Sequence, residues 1–169
     1  MSEILKQYRA MAATGGAFRG LTVLQHADTI KLLVDKHKVT TLLDYGSGAG
    51  DAYDKPHQLH KRLGIPWPTL YDPAFQKLRN VPTRMHHGVI CSDVLEHVRE
   101  EDVRKLVAAL FAFAERFVFA SVCCRLASKT FPDGTNLHIT IKPYDWWFAL
   151  FEEMEPKDRT VDWVLVETP

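Results

Sequence analysis

The sequence predicts an α/β fold built on a mostly parallel sheet, and three observations predict it. Short β-branched or apolar runs alternate with amphipathic helical stretches along the whole chain. Three of those runs, ending at Asp44, Asp72 and Asp93, close on an acid. A glycine-rich turn, Gly46–Gly50, follows the first of them at once. Open α/β sheets place ligands at the C-terminal ends of their strands, so the acids and the glycines fall where a site is expected.

The elements follow in order. Residues 1–20 are polar and small, with Gly15-Gly16 and Gly20, and read as an N-terminal helix or arm followed by a flexible turn. Residues 21–37 carry Leu21, Leu24, Ile30, Leu33 and Val34 near helical spacing and predict one helix. Val39–Asp44 is a buried strand. A short helix is expected near His57–Leu63, a second strand over Pro68–Asp72, and one or two helical turns over Pro73–Asn80. Gly88–Asp93 is the third strand. Glu100–Ala114 puts Val103, Leu106, Val107, Leu110 and Phe113 on one helical face. Arg116–Cys123 is the most hydrophobic strand and is expected at the sheet centre. Residues 125–137 are a long polar connection with a Pro132-Asp-Gly134 turn, and Leu137–Ile141 reads as a short extended piece. Pro143 suits the start of a helix over Tyr144–Met154, and Thr160–Glu167 is the last strand.

The chain has 169 residues, the size of a single domain, with no internal repeat. Lys+Arg and Asp+Glu each number 21. That balance argues against nucleic acid as a partner, which needs a basic face. No run of ~18 apolar residues predicts a membrane span. The start, Met1–Lys6, lacks a basic-then-apolar export signal, and the three cysteines, two of them adjacent, form no disulfide framework. A cytoplasmic setting is the expectation.

The strongest chemical signal is Asp44-Tyr45-Gly46-Ser47-Gly48-Ala49-Gly50. Glycines let a backbone turn sharply and approach a ligand closely, and a following helix N-terminus would face that ligand. Dinucleotide binders use GxGxxG, whose third glycine falls here on Asp51. The order found, an acid two residues before GxGxG, resembles the first motif of the class I S-adenosylmethionine-dependent methyltransferases. Asp72 lies 28 residues after Asp44, at a strand end followed by Pro73. The resemblance implies that it holds ribose hydroxyls, which two carboxylate oxygens can accept. Val89-Ile-Cys-Ser-Asp93-Val94-Leu-Glu96-His97-Val98 resembles the fourth-strand motif of the same superfamily, with Asp93 beside the sulfonium and Leu95 and Val98 packed below. Small bacterial and phage members of the type-11-like group also resemble Ala17-Phe18-Arg19-Gly20 and the stretch from Asn136 through His138 and Pro143 to Trp147. In them the N-terminal segment folds over the cofactor, so Phe18 and Gly20 become lid candidates.

The resemblance therefore implies one Rossmann-like domain over 1–169. A helical lid or arm spans 1–38 and the core spans 39–169. The implied cofactor is S-adenosylmethionine, bound by Phe18, Gly20, Asp44, Tyr45, Gly46, Ser47, Gly48, Gly50, Asp72, Pro73, Asp93 and Val94. The chain departs from the family in length. About 15 residues separate Asp72 from the next strand, too few for the usual third strand and its adenine-binding acid. Phe75 or residues near Cys91 are the replacements considered. About five strands are expected, with exposed edges that a homo-oligomer would cover.

Methyl transfer needs acceptor, methyl and sulfur in line, and an oxygen or nitrogen acceptor also needs its proton removed. Asp93, His97 and His138 are the catalytic candidates, with a histidine as general base and Asp93 as its orienter. A second reading makes Glu96 and His97 helix-start residues bonded to backbone. A third makes Asp93, Glu96, His97 and His138 a site for a divalent metal, Mg²⁺ or Mn²⁺, in an order similar to that of the small-RNA 3′-end 2′-O-methyltransferases. His57, His60, His86 and His87 read as surface histidines, and Trp146 and Trp147 as core. Lys6, Arg9 and Arg19 read as a solvated face, and Cys124 as a small hydrophobe that can reach the pocket. The expected activity is methyl transfer to a small polar molecule. The alternatives are an inactive cofactor-binding partner subunit and a metal-assisted RNA 2′-O-methyltransferase.

Overall fold

The computed structural model describes residues 3–15 and 17–168. Gly16, in the turn predicted after the first helix, lies outside the described residues. The element order is α1 (Glu3–Ala13), α2 (Ala27–Lys36), β1 (Leu42–Tyr45), α3 (Leu59–Leu63), β2 (Thr69–Tyr71), β3 (His86–Ser92), α4 (Glu100–Phe113), β4 (Ala114–Val122), α5 (Tyr144–Met154) and β5 (Asp162–Glu167). The strands form one sheet in the order β2-β1-β3-β4-β5, and every pairing is parallel. This is an α/β architecture compatible with a Rossmann-like fold.

Helices cover both faces, which is why the inner strands read as continuous apolar runs. On one face α4 and α5 pack against β3, β4 and β5 through Val103, Val107, Leu110, Trp147, Leu150 and Phe151. On the other, α2 and α3 bury Ala27, Ile30, Leu59 and Leu63 against Leu42, Ile90, Phe117 and Phe119. The stretch 1–38 thus divides. Its α2 belongs to the sheet's cover, whereas α1 has no buried residue. Three acids, Glu100, Glu101 and Asp102, open α4 where the helix dipole favours them.

Several expectations are corrected. Residues 21–37 are not one helix: a 3-10 turn, Thr22–His26, precedes α2 and drops Val23 into the core. Pro73–Asn80 forms separate turns rather than helical ones, because the Asp72 N–H bonds the Leu78 carbonyl at 3.0 Å and the Asp72 carboxylate takes the Ala74 N–H at 2.8 Å. The extended piece expected over Leu137–Ile141 pairs with no strand, and two of its N–H groups go to the Glu96 carbonyl. The strand predicted as central, β4, lies one place from the middle, which β3 occupies. His86 is buried, not a surface residue, and its Nε2 bonds the Thr69 hydroxyl at 2.9 Å. No strand forms between β2 and β3, as the short spacing predicted. Among the described residues no helix is long and apolar enough to cross a membrane.

Candidate functional site

β1 and β2 end side by side, and the glycine turn is folded onto both. The Gly46 and Ser47 N–H groups bond the Tyr71 carbonyl at 2.7 and 3.2 Å, so the chain leaving β1 bends across the end of β2. The Gly48 N–H donates to Asp72 Oδ2 at 2.9 Å. Asp72 therefore links the turn to the loop after β2 and still has lone pairs to offer, since a carboxylate accepts about four hydrogen bonds. Its burial holds its carboxyl above the ordinary range, with the Ala74 and Gly48 N–H groups opposing.

No helix starts directly behind the glycines, and the short helix expected near His57–Leu63 is α3, Leu59–Leu63. Residues 51–57 make successive turns, with Tyr53 N–H to Gly50 O and Asp54 N–H to Asp51 O. Pro56 has no N–H to continue a helical ladder, and α3 begins only at Leu59. The donors at the site are those of the turn itself.

The N-terminal segment closes over this turn. The Ala49 N–H donates to the Phe18 carbonyl at 2.9 Å and the Asp51 N–H to the Arg19 carbonyl at 3.2 Å, while Arg19 pairs with the Asp51 carboxylate at 2.6 Å. α1 is tied alongside. Arg9 donates to the Pro73 carbonyl at 2.9 Å, Gln7 to Asp133 at 3.0 Å, and the Tyr8 ring meets Phe18 edge-on at 5.1 Å.

These elements enclose a cavity of about 550 Å³, within the range of small-molecule and cofactor pockets. Of the predicted cofactor residues, Phe18, Gly20, Tyr45, Gly46, Gly48, Asp72, Pro73, Asp93 and Val94 line it, and so does Phe75. Asp44, Ser47 and Gly50 are not on its wall. Asp44 lies beneath, accepting from the Tyr53 hydroxyl at 2.8 Å. Ser47 is buried behind the turn, and a Cβ on Gly50 would meet Leu70. Cys124 is not on the wall either.

The catalytic candidates separate. Asp93 lines the cavity at a left-handed φ of 53°, and its Oδ1 accepts from Ser121 Oγ at 2.8 Å and Thr168 Oγ1 at 2.6 Å. It does not orient His97, as expected of it. That role falls to the Leu137 carbonyl, 2.9 Å from His97 Nδ1, with the Tyr8 hydroxyl at 2.7 Å. His97 lines the cavity, and burial lowers its pKa to about 4, so it is neutral at pH 7. His138 is not on the wall. Its ring lies edge-on to His97 at 4.9 Å. Glu96 is buried, with Oε1 accepting from the Cys123 N–H at 3.0 Å, which agrees with the backbone-bonded reading of this residue.

Tyr8, Ile4 and Leu5 of α1 also line the cavity and were missed. Their i, i+1, i+4 spacing was the available signal. Lys129, at the far rim, carried no signal.

Two buried acids give the protein a pH-dependent stability. Burial raises Asp44 to about 7 and Glu96 to about 8, the latter helped by the negative charge of Asp93. Each binds its proton more tightly folded than unfolded. The stability they contribute is complete below about pH 4 and is lost as pH rises through those values. His97 acts oppositely, but only below its unfolded pKa of about 6.5. Thermal melts in chelator are therefore expected to show Tm falling from pH 6.5 to 8.5, with a shallower fall in Asp44→Asn. A flat profile would contradict the burial of both acids.

Compared with known proteins, the chain matches no family model, no curated protein and no solved structure.

Proposed function

We propose that this cavity binds S-adenosylmethionine and that the protein transfers its methyl group to an oxygen or nitrogen of a small polar acceptor. One observation carries the reading: the Gly48 N–H meets the Asp72 carboxylate at adjacent strand ends, on the wall of a cavity that Asp93 also lines. A glycine turn there admits a ligand close to the backbone, and the spare lone pairs of Asp72 suit a pair of ribose hydroxyls. Phe75, the aromatic residue of the loop after β2, lines the cavity and can take the place of the missing third-strand unit. Bound S-adenosylmethionine supplies a methyl group on a positively charged sulfur, an excellent leaving group.

The chain's own part is alignment and exclusion of water. Val94, Val98 and Leu106 form an apolar wall next to Asp93. Asp93, fixed through Oδ1 to Ser121 and Thr168, places a carboxylate without freedom to swing. Phe18 and Tyr8 close the opposite side. His97 at about pKa 4 is too weak a base to hold a proton at neutral pH, so it serves as a hydrogen-bond acceptor through Nε2 rather than as a resting proton store. Of the three cations lining the cavity, Arg19 and Arg99 are paired, with Asp51 and with Glu101 and Asp102, and Lys129 alone has no ion pair among the described residues. That favours a small acceptor over a polyanion such as RNA.

The test is calorimetric titration with S-adenosylmethionine and S-adenosylhomocysteine on wild type, Asp72→Ala and Asp72→Asn. Saturable binding is expected to wild type, weakened at least tenfold in Asp72→Ala, about 1.4 kcal/mol. Asp72→Asn keeps one carbonyl acceptor and is expected to fall between. Absence of binding to both ligands by folded wild type overturns the reading. Binding without turnover on any acceptor would favour the inactive partner-subunit alternative.

A further inference from the structure

Directly behind His97, three side chains from two separate segments converge. Glu96 and His97 belong to the helical turn Leu95–His97 that follows β3. His138 belongs to the strap between β4 and α5. That strap is pinned against the turn. The Ile139 and Thr140 N–H groups donate to the Glu96 carbonyl at 2.7 and 3.0 Å, and the Thr140 hydroxyl donates to the Val98 carbonyl at 2.6 Å. Asn136 adds a clamp, accepting from the Ala127 and His138 N–H groups and donating to the Ala127 carbonyl. One donor atom from each of Glu96, His97 and His138 lies within 4.8 Å of the other two.

Three features of this cluster point to a ligand. The first is the state of the imidazoles. His97 Nδ1 lies 2.9 Å from the Leu137 carbonyl and His138 Nδ1 lies 2.5 Å from the Arg125 carbonyl. A backbone carbonyl only accepts, and the Tyr8 hydroxyl 2.7 Å from His97 Nδ1 donates to the Leu137 carbonyl, so each Nδ1 carries the hydrogen and each Nε2 keeps its lone pair. This is the arrangement in which outer hydrogen bonds orient metal-bound histidines. The second is Glu96. It has no exposed surface, its Oε1 is bonded, and its Oε2 has no hydrogen-bond partner among the described residues. A buried polar atom left unpaired costs about 1–3 kcal/mol, so it calls for an occupant. The third is that His97 also lines the cavity, which gives an ion both an entry path and an open position.

We propose that Glu96, His97 and His138 bind one divalent transition-metal ion, of the Zn²⁺, Co²⁺ or Mn²⁺ class, at the wall of the cavity. The donor set chooses the class. Two imidazoles and one carboxylate suit these ions, whereas Mg²⁺ and Ca²⁺ prefer oxygen throughout. Asp93, the fourth member of the sequence-derived set, is not in the cluster, because Ser121 and Thr168 hold its Oδ1. Donors bound at ~2.0–2.2 Å to one ion stand roughly 3–4 Å apart, so donor atoms now within 4.8 Å of one another close by up to about 2 Å on binding. Three protein ligands leave a coordination position for water or for a ligand in the cavity. The metal site stands on its own geometry. Only coordination of a methyl acceptor at that open position rests on the proposed function.

The experiment uses the full chain, stripped with chelator and desalted, then titrated with Co²⁺ and back-titrated with Zn²⁺ while visible absorption is recorded. One equivalent of Co²⁺ with d–d bands, displaced by Zn²⁺, is the expected result. Glu96→Gln and His138→Ala are each expected to weaken binding at least a hundredfold, more than the ~10–100-fold cost of losing an outer partner. His138→Ala sits on a partly exposed strap, so its fold is retained by circular dichroism even if Glu96→Gln is unstable. His57→Ala, on an exposed histidine outside the cluster, is expected to bind as wild type does. No stoichiometric binding, or binding that survives both cluster variants, overturns the proposal. S-adenosylhomocysteine titration of the same stripped protein keeps the two readings apart, because failure of either leaves the other standing.

Discussion

Trp147→Ala is expected to destabilise the protein by about 3–5 kcal/mol, the usual cost of truncating a buried aromatic. Trp147 has no exposed surface and sits in the cluster that joins α4 and α5 to the sheet. Alanine leaves a hole in that cluster that two helices, each anchored on other contacts, cannot collapse to fill. Against a total stability of ~5–15 kcal/mol this is a large fraction. At ~2–4 °C per kcal/mol for a chain of this size, Tm falls by roughly 6–20 °C. The helix carries its own controls. Phe148, one residue on, is 39% exposed and tilts against Trp163 at 5.0 Å and Tyr144 at 6.2 Å, so Phe148→Ala is expected to cost about 1 kcal/mol. The Trp147 indole N–H is buried without a hydrogen-bond partner among the described residues, so Trp147→Phe removes an unpaired donor along with part of the volume. It is expected to cost far less than alanine. Thermal melts of the three variants check this. A Trp147→Ala melt within 2 °C of wild type (below the ~2–4 °C expected per kcal/mol) would show that Trp147 is not a core residue.

The same helix shows why much of the fold was legible. Trp147, Leu150 and Phe151 stand at i, i+3 and i+4, and Pro143 marks the start, so periodicity and one backbone constraint locate α5. Strand ends were legible for a similar reason, because Asp72 and Asp93 directly follow β2 and β3 and Asp44 stands one residue before the end of β1. The failures have a common cause. Residues 73–80 are shaped by a bond that closes their own loop, Asp72 with Leu78, and 137–141 by bonds to a distant partner, Glu96 with Ile139 and Thr140. Local spacing carries no trace of such pairings. The site divides along the same line. The glycine turn and Asp72 were readable because backbone geometry demands glycine and an acid there. The partner that orients His97 was not, because the Leu137 carbonyl is a backbone atom, and any residue type supplies one. Tyr8 was hidden in a helix whose anchoring depends on single side chains rather than on a buried face.

Gly48→Ala is expected to open the cavity while leaving the sheet folded, because two backbones pass there too closely to admit a Cβ. A Cβ on Gly48 would stand far inside van der Waals contact with the Phe18 carbonyl oxygen and close on the Gly20 nitrogen. A Cβ on Gly20 would strike the Ser47 carbonyl oxygen in the same way. Both obstacles are backbone atoms, so no side chain can rotate to give way. The segment 18–20 must therefore move off the turn, breaking the bonds from the Ala49 and Asp51 N–H groups to Phe18 and Arg19. Phe18 is itself at φ 52°, a conformation a phenylalanine holds only when its surroundings impose it, so its release is favourable once those bonds are gone. Gly48 also sits at φ 58°, and alanine pays about 1–2 kcal/mol there for conformation alone. Gly15→Ala separates the two effects. Gly15 is at φ 79°, yet a Cβ on it would meet nothing within 4 Å. Faster proteolysis within residues 14–21 is expected for Gly48→Ala and Gly20→Ala but not for Gly15→Ala. Far-UV circular dichroism is expected to stay unchanged in all three, since none touches the sheet. On the proposed function, S-adenosylhomocysteine affinity falls at least tenfold, ~1.4 kcal/mol, in the first two alone. Wild-type protease resistance in Gly48→Ala would mean that the N-terminal segment does not ride on the glycine turn, and that the cavity owes its closure to α1 through Tyr8 and Arg9 instead.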